Sequence, residues 1–209
     1  RSPDTTYTRF LHERGLTLQQ KNAIFQWISD GKLQGDTTLA PIAPEFHSSY
    51  QLAGKADLVI GTGPIVSNSN ASMQNPYNCI VIPMGLTEDK WLRAVEIVPG
   101  NVKAVHHCVV TVDTTGTAVS DVSGGCNNQL GQFGIAGWSS GAAPVVYPNK
   151  PPLKAGQRIP AGSSLCLQIH FAPGSDEMID STKVRLYFYN KDSIAGMRSV
   201  HDEIALQYW

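Results

Sequence analysis

The sequence has little charge and no long apolar run. Lys, Arg, Asp and Glu make up 16% of the 209 residues, and the formal net charge is −1. No basic stripe interleaved with aromatic residues is present, which argues against nucleic acid as a partner. No apolar run approaches the roughly 20 residues that a membrane-spanning helix needs. The composition therefore gives no support for a nucleic-acid-binding function.

Glycine and proline are abundant, which favours strands and loops over a helical bundle. Residues 124–162, rich in Gly, Ser, Asn and Pro, are predicted to form a long excursion with Trp138 as its anchor. Because no helices alternate with the strand-like segments, we predict a mainly β fold, an antiparallel jelly-roll β-sandwich. The predicted strands span residues 56–60, 78–84, 91–98, 105–112, 164–171 and 183–189.

One short helix is predicted near the start of the chain, over residues 17–30. Thr17 and Gln20 have the spacing of a capping box, and Gly31 is a helix-terminating residue. The Pro-spaced stretch at residues 35–44 is typical of a linker. We therefore divide the chain into residues 1–45, the tail of one unit plus a linker, and residues 46–209, a separate domain. The apolar face of the helix is predicted to contain Leu18, Ile24, Trp27 and Ile28.

Three of the six histidines lie in predicted strands: His106, His107 and His170. A buried imidazole without partners for its nitrogens costs free energy, so these residues need an explanation. One explanation is a metal ion bound by three neutral imidazoles, for which residue chemistry favours copper or zinc. The alternative is that they are hydrogen-bonded or half-exposed strand residues with no metal.

Strand geometry sets a condition on such a site. Alternation along residues 164–171 places His170 opposite the core, with polar neighbours, on a solvated or site-bearing face. The adjacent His106 and His107 should point to opposite faces. Both can reach one metal only if a β-bulge or a strand end redirects one ring. The turn residues at 99–101, just upstream, favour a local irregularity of this kind.

The four cysteines match no CxxC zinc-binding spacing. Cys126 lies in a Gly-rich loop, a common place for a disulfide partner in an oxidising compartment. Cys108 and Cys166 lie inside predicted strands, near the histidines. They could form a second bridge or remain as inert buried thiols.

Two motifs flank the histidines. The first is RAVEIVPGN at residues 93–101, followed by the pair at 106–107; the second is IPAGS at 159–163, followed by LQIHF at 167–171. They resemble the motifs of the copper type II, ascorbate-dependent monooxygenases, which include the peptidylglycine α-hydroxylating and dopamine β-monooxygenases. The resemblance covers roughly residues 50–200 and extends to Cys79, Gly137, Trp138 and the strand at 184–188.

The resemblance implies that residues 46–209 form the first of the family's two copper-binding jelly-roll domains. His106, His107 and His170 would bind a copper that relays electrons, and Cys79 and Cys126 would form a disulfide. In the family, the second domain carries out hydroxylation with a His-x-His pair and a methionine. No His-x-His occurs in this chain. The chain therefore resembles half of a monooxygenase, and whether it is itself an enzyme stays open.

The resemblance also implies partners and a compartment. Bacterial relatives often carry a c-type cytochrome ahead of the copper domains. Residues 1–45 resemble the last helix of such a cytochrome, without its haem attachment motif, and we expect the chain to be part of a longer protein. The expected redox partner is the second copper domain or a cytochrome c-type donor, in a periplasmic or secreted location. The alternative is a non-catalytic structural or interaction subunit of a larger periplasmic, membrane-associated assembly.

Overall fold

The computed structural model describes residues 15–42, 50–69, 77–124, 126, 131–150 and 153–200. The chain divides into two compact units, residues 1–46 and 47–209. This division lies one residue from the boundary expected from the sequence, and the cytochrome-like nature of the first unit stays a prediction. Within the described ranges, no helix is long and apolar enough to cross a membrane.

The helix of the first unit, α1 (Leu18–Ser29), has the ends that the sequence predicts. The Thr17 hydroxyl accepts a hydrogen bond from the Gln20 backbone N–H at 3.2 Å, and the Gln20 side-chain oxygen accepts one from the Thr17 N–H at 2.8 Å. This is the predicted capping box. Gly31, with a φ of 88°, follows the helix in the left-handed conformation typical of a helix end. Every residue of α1 is exposed, including its apolar face.

The second unit is built of strands. All six predicted strands are present, with ends that shift by no more than two residues. In chain order, the strands of the described residues are β1 (Leu58–Gly61), β2 (Ile65–Val66), β3 (Tyr77–Pro83), β4 (Lys90–Val98), β5 (Val105–Asp113), β6 (Asp121–Gly124), β7 (Phe133–Ser139), β8 (Val145–Val146), β9 (Asn149–Lys150), β10 (Leu153–Ile159), β11 (Ser164–Phe171), β12 (Ile179–Asp180), β13 (Lys183–Phe188) and β14 (Arg198–Ser199).

These strands form two main sheets around one hydrophobic core. The first has the order β1-β13-β4-β10-β14, with β8 and β9 attached, and the second has the order β6-β3-β11-β5-β7. All pairings are antiparallel except the one between β10 and β14. The core takes side chains from both sheets, such as Leu92 and Val184 from the first and Val110 and Leu167 from the second. The fold is mainly β and sandwich-like, as predicted, and the jelly roll stays a prediction.

The predicted excursion over residues 124–162 contains more strand than its composition suggests. It contains β7, which pairs with β5, and β10, which pairs with β4. Glycine is a common sign of loops, but Gly156 lies in a strand where two backbones approach closely, because a Cβ there would lie 2.9 Å from the carbonyl oxygen of Leu92. Trp138 does pack against the core, as expected, although it lies within a strand.

The alternation along β11 is confirmed on the core side, where Leu165, Leu167, Ile169 and Phe171 are fully buried. The opposite face is less exposed to solvent than its polar residues predict. Cys166 is only 1% exposed on that face, and the backbone of Gly131 lies close to it. His170 is 8% exposed. The face is therefore partly covered, and the histidine lies in a sheltered position.

Candidate metal centre

The candidate site lies on the outer face of the second sheet, where β3, β11 and β5 run side by side. The register pairs Tyr77 with His170, and His170 with His107. Directly paired residues of antiparallel strands place their side chains on the same face, close enough to touch. One tyrosine and two histidines therefore form a row across three neighbouring strands.

A β-bulge brings His106 into the same cluster. His170 pairs with His107, but the next residue, Phe171, pairs with Val105, so the register shifts by one residue. His106 is the extra residue of β5. Val105 remains in the core at 3% exposed, while His106 lies on the outer face with His107. The local irregularity that strand geometry required is confirmed.

Asn101 fixes the turn that leads into the bulge. Its N–H donates to a carboxylate oxygen of Asp180 at 2.9 Å, and its carbonyl accepts from the N–H groups of Ala104 and Val105 at 3.1 and 3.0 Å. Asp180 is 1% exposed, and its other oxygen accepts from the N–H and hydroxyl of Thr182. The turn before β5 is thus connected to the end of β12.

The three imidazoles direct the same ring nitrogen towards one another. The Nδ1 atom of His170 lies 3.3 Å from the Nδ1 atom of His106 and 3.3 Å from that of His107. The candidate ligand atoms all lie within 4.8 Å of one another, so the cluster could hold a metal ion. Exposure differs across the cluster: His106 is exposed, His107 is half-buried and His170 is buried.

Hydrogen bonding alone accounts poorly for this geometry. A neutral imidazole nitrogen carries either one proton or one lone pair, so the Nδ1 atom of His170 cannot make a full hydrogen bond with both neighbours. Burial, and then the neighbouring His107 and His106, lower the pKa of His170 to about 4. Burial, and then His106, also lower the pKa of His107. Both rings are therefore neutral at pH 7, the state in which imidazole binds metals.

Tyr77 is part of the cluster and was not singled out from the sequence. Its ring is stacked on that of His170, with centroids 4.5 Å apart and planes 17° apart, and it meets His107 edge-on at 6.0 Å. The predicted strand begins at residue 78, so Tyr77 lies just outside it. Extending the alternation back from Cys79 would have placed Tyr77 on the same face as the disulfide.

The disulfide implied by the resemblance, Cys79–Cys126, is present, with Cα atoms 5.5 Å apart. Cys79 follows Tyr77 by two residues and pairs with Gln168 of β11. The N–H of Cys126 donates to a carboxylate oxygen of Asp121 in β6 at 3.1 Å. The bond therefore fastens the end of β6 to β3, beside the histidine cluster.

The other two cysteines form no bridge with each other. Both are free and buried. Cys108 belongs to the core, whereas Cys166 lies on the opposite face of the sheet, the face that carries His170. Burial raises the pKa of both thiols, followed by the negative charge of Asp180 for Cys108 and of Asp113 for Cys166. Of the two alternatives left open by the sequence, the inert buried thiols are the correct one.

Comparison with protein-family models, with curated proteins and with solved structures finds no match for this chain. The fold and the site thus define a mainly β, sandwich-like domain with a candidate three-histidine metal centre.

Proposed function

We propose that the second unit is a copper-binding, electron-transfer domain of a monooxygenase-like protein, related to the copper type II, ascorbate-dependent family. The observation that carries this proposal is the convergence of the Nδ1 atoms of His106, His107 and His170 at a β-bulge. The flanking motifs at residues 93–101 and 159–171 supply the link to that family.

The donor set supports copper. The cluster consists of imidazoles alone, without a thiolate or a carboxylate. Imidazole nitrogens suit copper and zinc, whereas calcium and magnesium take oxygen ligands and the non-haem iron centres use a carboxylate beside two histidines. A copper ion held there would supply a one-electron redox couple. Zinc remains the competing ion, and metal titration separates the two.

The position of the ligands argues for a functional metal rather than a structural one. His107 and His170 face each other on strands that are already paired from Ser164 to Phe171. An ion that connects two strand residues already joined by the hydrogen bonds of the ladder adds little order to the folded chain. Structural zinc sites, in contrast, hold together segments that do not fold without the metal.

The exposed and the buried histidines would have different roles. His106 is exposed, so its ring offers a path for an electron between the metal and a partner at the surface. His170 is buried and anchors the site in the sheet. The partner we propose is a second copper domain or a cytochrome c-type protein. The disulfide supports a periplasmic or secreted location.

Hydroxylation would need a second metal centre. The described residues contain one cluster of at least three metal-binding side chains. We therefore propose electron transfer, and no substrate chemistry, for this part of the chain.

The test is a titration of the metal-free protein with Cu(I), Cu(II) and Zn(II). We expect one copper per chain, bound more tightly than zinc, and loss of this site in His106→Ala, His107→Ala and His170→Ala. His47→Ala is the matched control and should bind copper like the wild type. A folded protein that binds no copper with its histidines intact would contradict the proposal and favour the structural or interaction subunit.

A further inference from the structure

We infer that Tyr77 is a positioning residue of the metal centre, whose ring holds the His170 imidazole so that Nδ1 faces His106 and His107. Its effect on copper rests on the proposed function, but the positioning itself is a property of the metal-free protein. Tyr77 contacts the proposed ligand and is not itself a ligand.

The geometry of the contact sets it apart from the other ring contacts at the site. Tyr77 and His170 lie nearly parallel, with planes 17° apart. The histidine rings meet one another at 56° to 70°. Parallel stacking restricts rotation of the imidazole about χ2, because turning the ring would drive its edge into the tyrosine. This rotation decides which ring nitrogen points at the other two histidines.

The stack orients the imidazole through its face, whereas a hydrogen bond orients it through its edge. A metal-binding histidine normally donates its second ring N–H to a carboxylate, carbonyl or water, which fixes the ring. Among the described residues, the structure gives no hydrogen-bond partner for the Nε2 atom of His170. Its ring contacts there are the two histidines and Tyr77.

Tyr77 is itself held from both sides. Strand β3 is paired with β11 from Tyr77 to Pro83 and with β6 through Tyr77 and Gly124. The disulfide at Cys79 lies two residues further along the strand. The ring is therefore presented from a fixed backbone. It covers one side of His170 while His106 on the other side of the cluster stays exposed.

Loss of the ring should weaken copper binding and shift its redox couple. Removing a residue that orients a ligand typically costs about 10- to 100-fold in metal affinity. Water that replaces the ring beside His170 favours the ion of higher charge. Affinity for Cu(I) should therefore fall more than affinity for Cu(II), and the reduction potential should become more negative.

The experiment compares Tyr77→Leu, which removes the ring, with Tyr77→Phe, which keeps it. Tyr189→Leu is the matched control, since Tyr189 is a half-buried tyrosine beside the first sheet. Affinities for Cu(I) and Cu(II) and the reduction potential are measured for each. We expect the Cu(I) affinity to fall about 10-fold or more in Tyr77→Leu and the potential to fall with it. The Phe and Tyr189 variants should match the wild type.

The outcomes separate the two proposals. A wild-type protein that binds no copper overturns the proposed function. Copper binding by the wild type, with unchanged affinity and potential in a folded Tyr77→Leu, overturns the role of Tyr77 alone. A Tyr77→Phe variant that binds copper as weakly as Tyr77→Leu also overturns it, because Phe keeps the ring that is proposed to position His170.

Should Tyr77→Leu fail to fold, NMR of the metal-free wild type and Tyr77→Phe keeps the inference testable. The ring protons of His170 should be shifted upfield by the stacked ring in both proteins. Unshifted His170 protons in the folded wild type would overturn the inference.

Discussion

At the scale of single residues, the site combines histidines in three different environments. The rings are exposed at His106, half-buried at His107 and buried at His170. Burial penalises the protonated form, which keeps the inner rings neutral and available. The same burial makes the metal-free protein sensitive to acid, because the histidine with the lowered pKa resists protonation only while the chain is folded.

We predict that the metal-free protein loses stability as the pH falls from 6.5 towards 4. The pKa of His170 is about 4 in the folded protein, against an ordinary value of 6.5. Between these values the unfolded chain binds the proton first, so the stabilisation is complete above pH 6.5 and declines as the pH falls. The loss should amount to about 1–3 kcal/mol. Urea unfolding at a series of pH values measures it.

His170→Gln is the control for this pH dependence. The variant keeps a polar side chain but cannot titrate, so its free energy of unfolding should depend less on pH in this window. Identical pH slopes for the two proteins would show that His170 does not carry the effect.

At the scale of elements, the decisive feature is the start of β5. Two adjacent strand residues reach the same face only because His106 is bulged out of the ladder. The turn before it is held by the buried Asp180 through Asn101. Gly100 makes this approach possible, since its backbone lies against Ser181.

Gly100→Ala should destabilise the domain and weaken the proposed metal site together. A Cβ at this position would lie 2.4 Å from the hydroxyl oxygen and 2.7 Å from the backbone nitrogen of Ser181. Relieving such an overlap should cost about 1–3 kcal/mol and displace the turn that leads into the bulge. Thermal unfolding and copper affinity are the measurements.

Gly61→Ala provides the comparison for this variant. A Cβ at Gly61 would meet the Lys183 side chain at an ordinary 3.5 Å. Its stability should stay close to that of the wild type. Equal losses in the two glycine variants would contradict a specific role for the turn at Gly100.

The sequence predicts six of the strands and the need for a bulge, but not which residues lie opposite one another on neighbouring strands. The alternation in residues 164–171 fixes the core face of β11, because the pattern is local. Which strand lies beside β11 depends on tertiary pairing, so the stack of Tyr77 on His170 could not be read from spacing. The strands β7 and β10 were missed because glycines that pack closely have the same sequence signal as glycines in turns.

At the scale of the whole molecule, one covalent link fastens the edge of the second sheet. The disulfide joins Cys79 in β3 to Cys126, beyond β6, across a separation of 47 residues. A cross-link of this span restricts the unfolded chain substantially. Because Cys79 lies near Tyr77, the link also connects the edge of the sheet with the candidate site.

Replacing both Cys79 and Cys126 by Ser should lower the free energy of unfolding by about 2–4 kcal/mol. Chemical denaturation of the oxidised wild type and of the double variant measures the difference. A reducing agent should lower the stability of the wild type and leave the double variant unaffected. Equal stability of all these forms would contradict a stabilising role for the bond.

The bulge at His106 has a consequence for how the site tolerates change. The cluster of three histidines is set by a mismatch of one residue between two paired strands, so the candidate site depends on the number of residues as much as on their identity. Deleting a single residue between Asn101 and His106 would remove the extra residue of β5. The regular alternation of side chains would then return one histidine ring to the core side. Insertions and deletions near this point should therefore abolish the cluster even where substitutions of the same residues leave it intact.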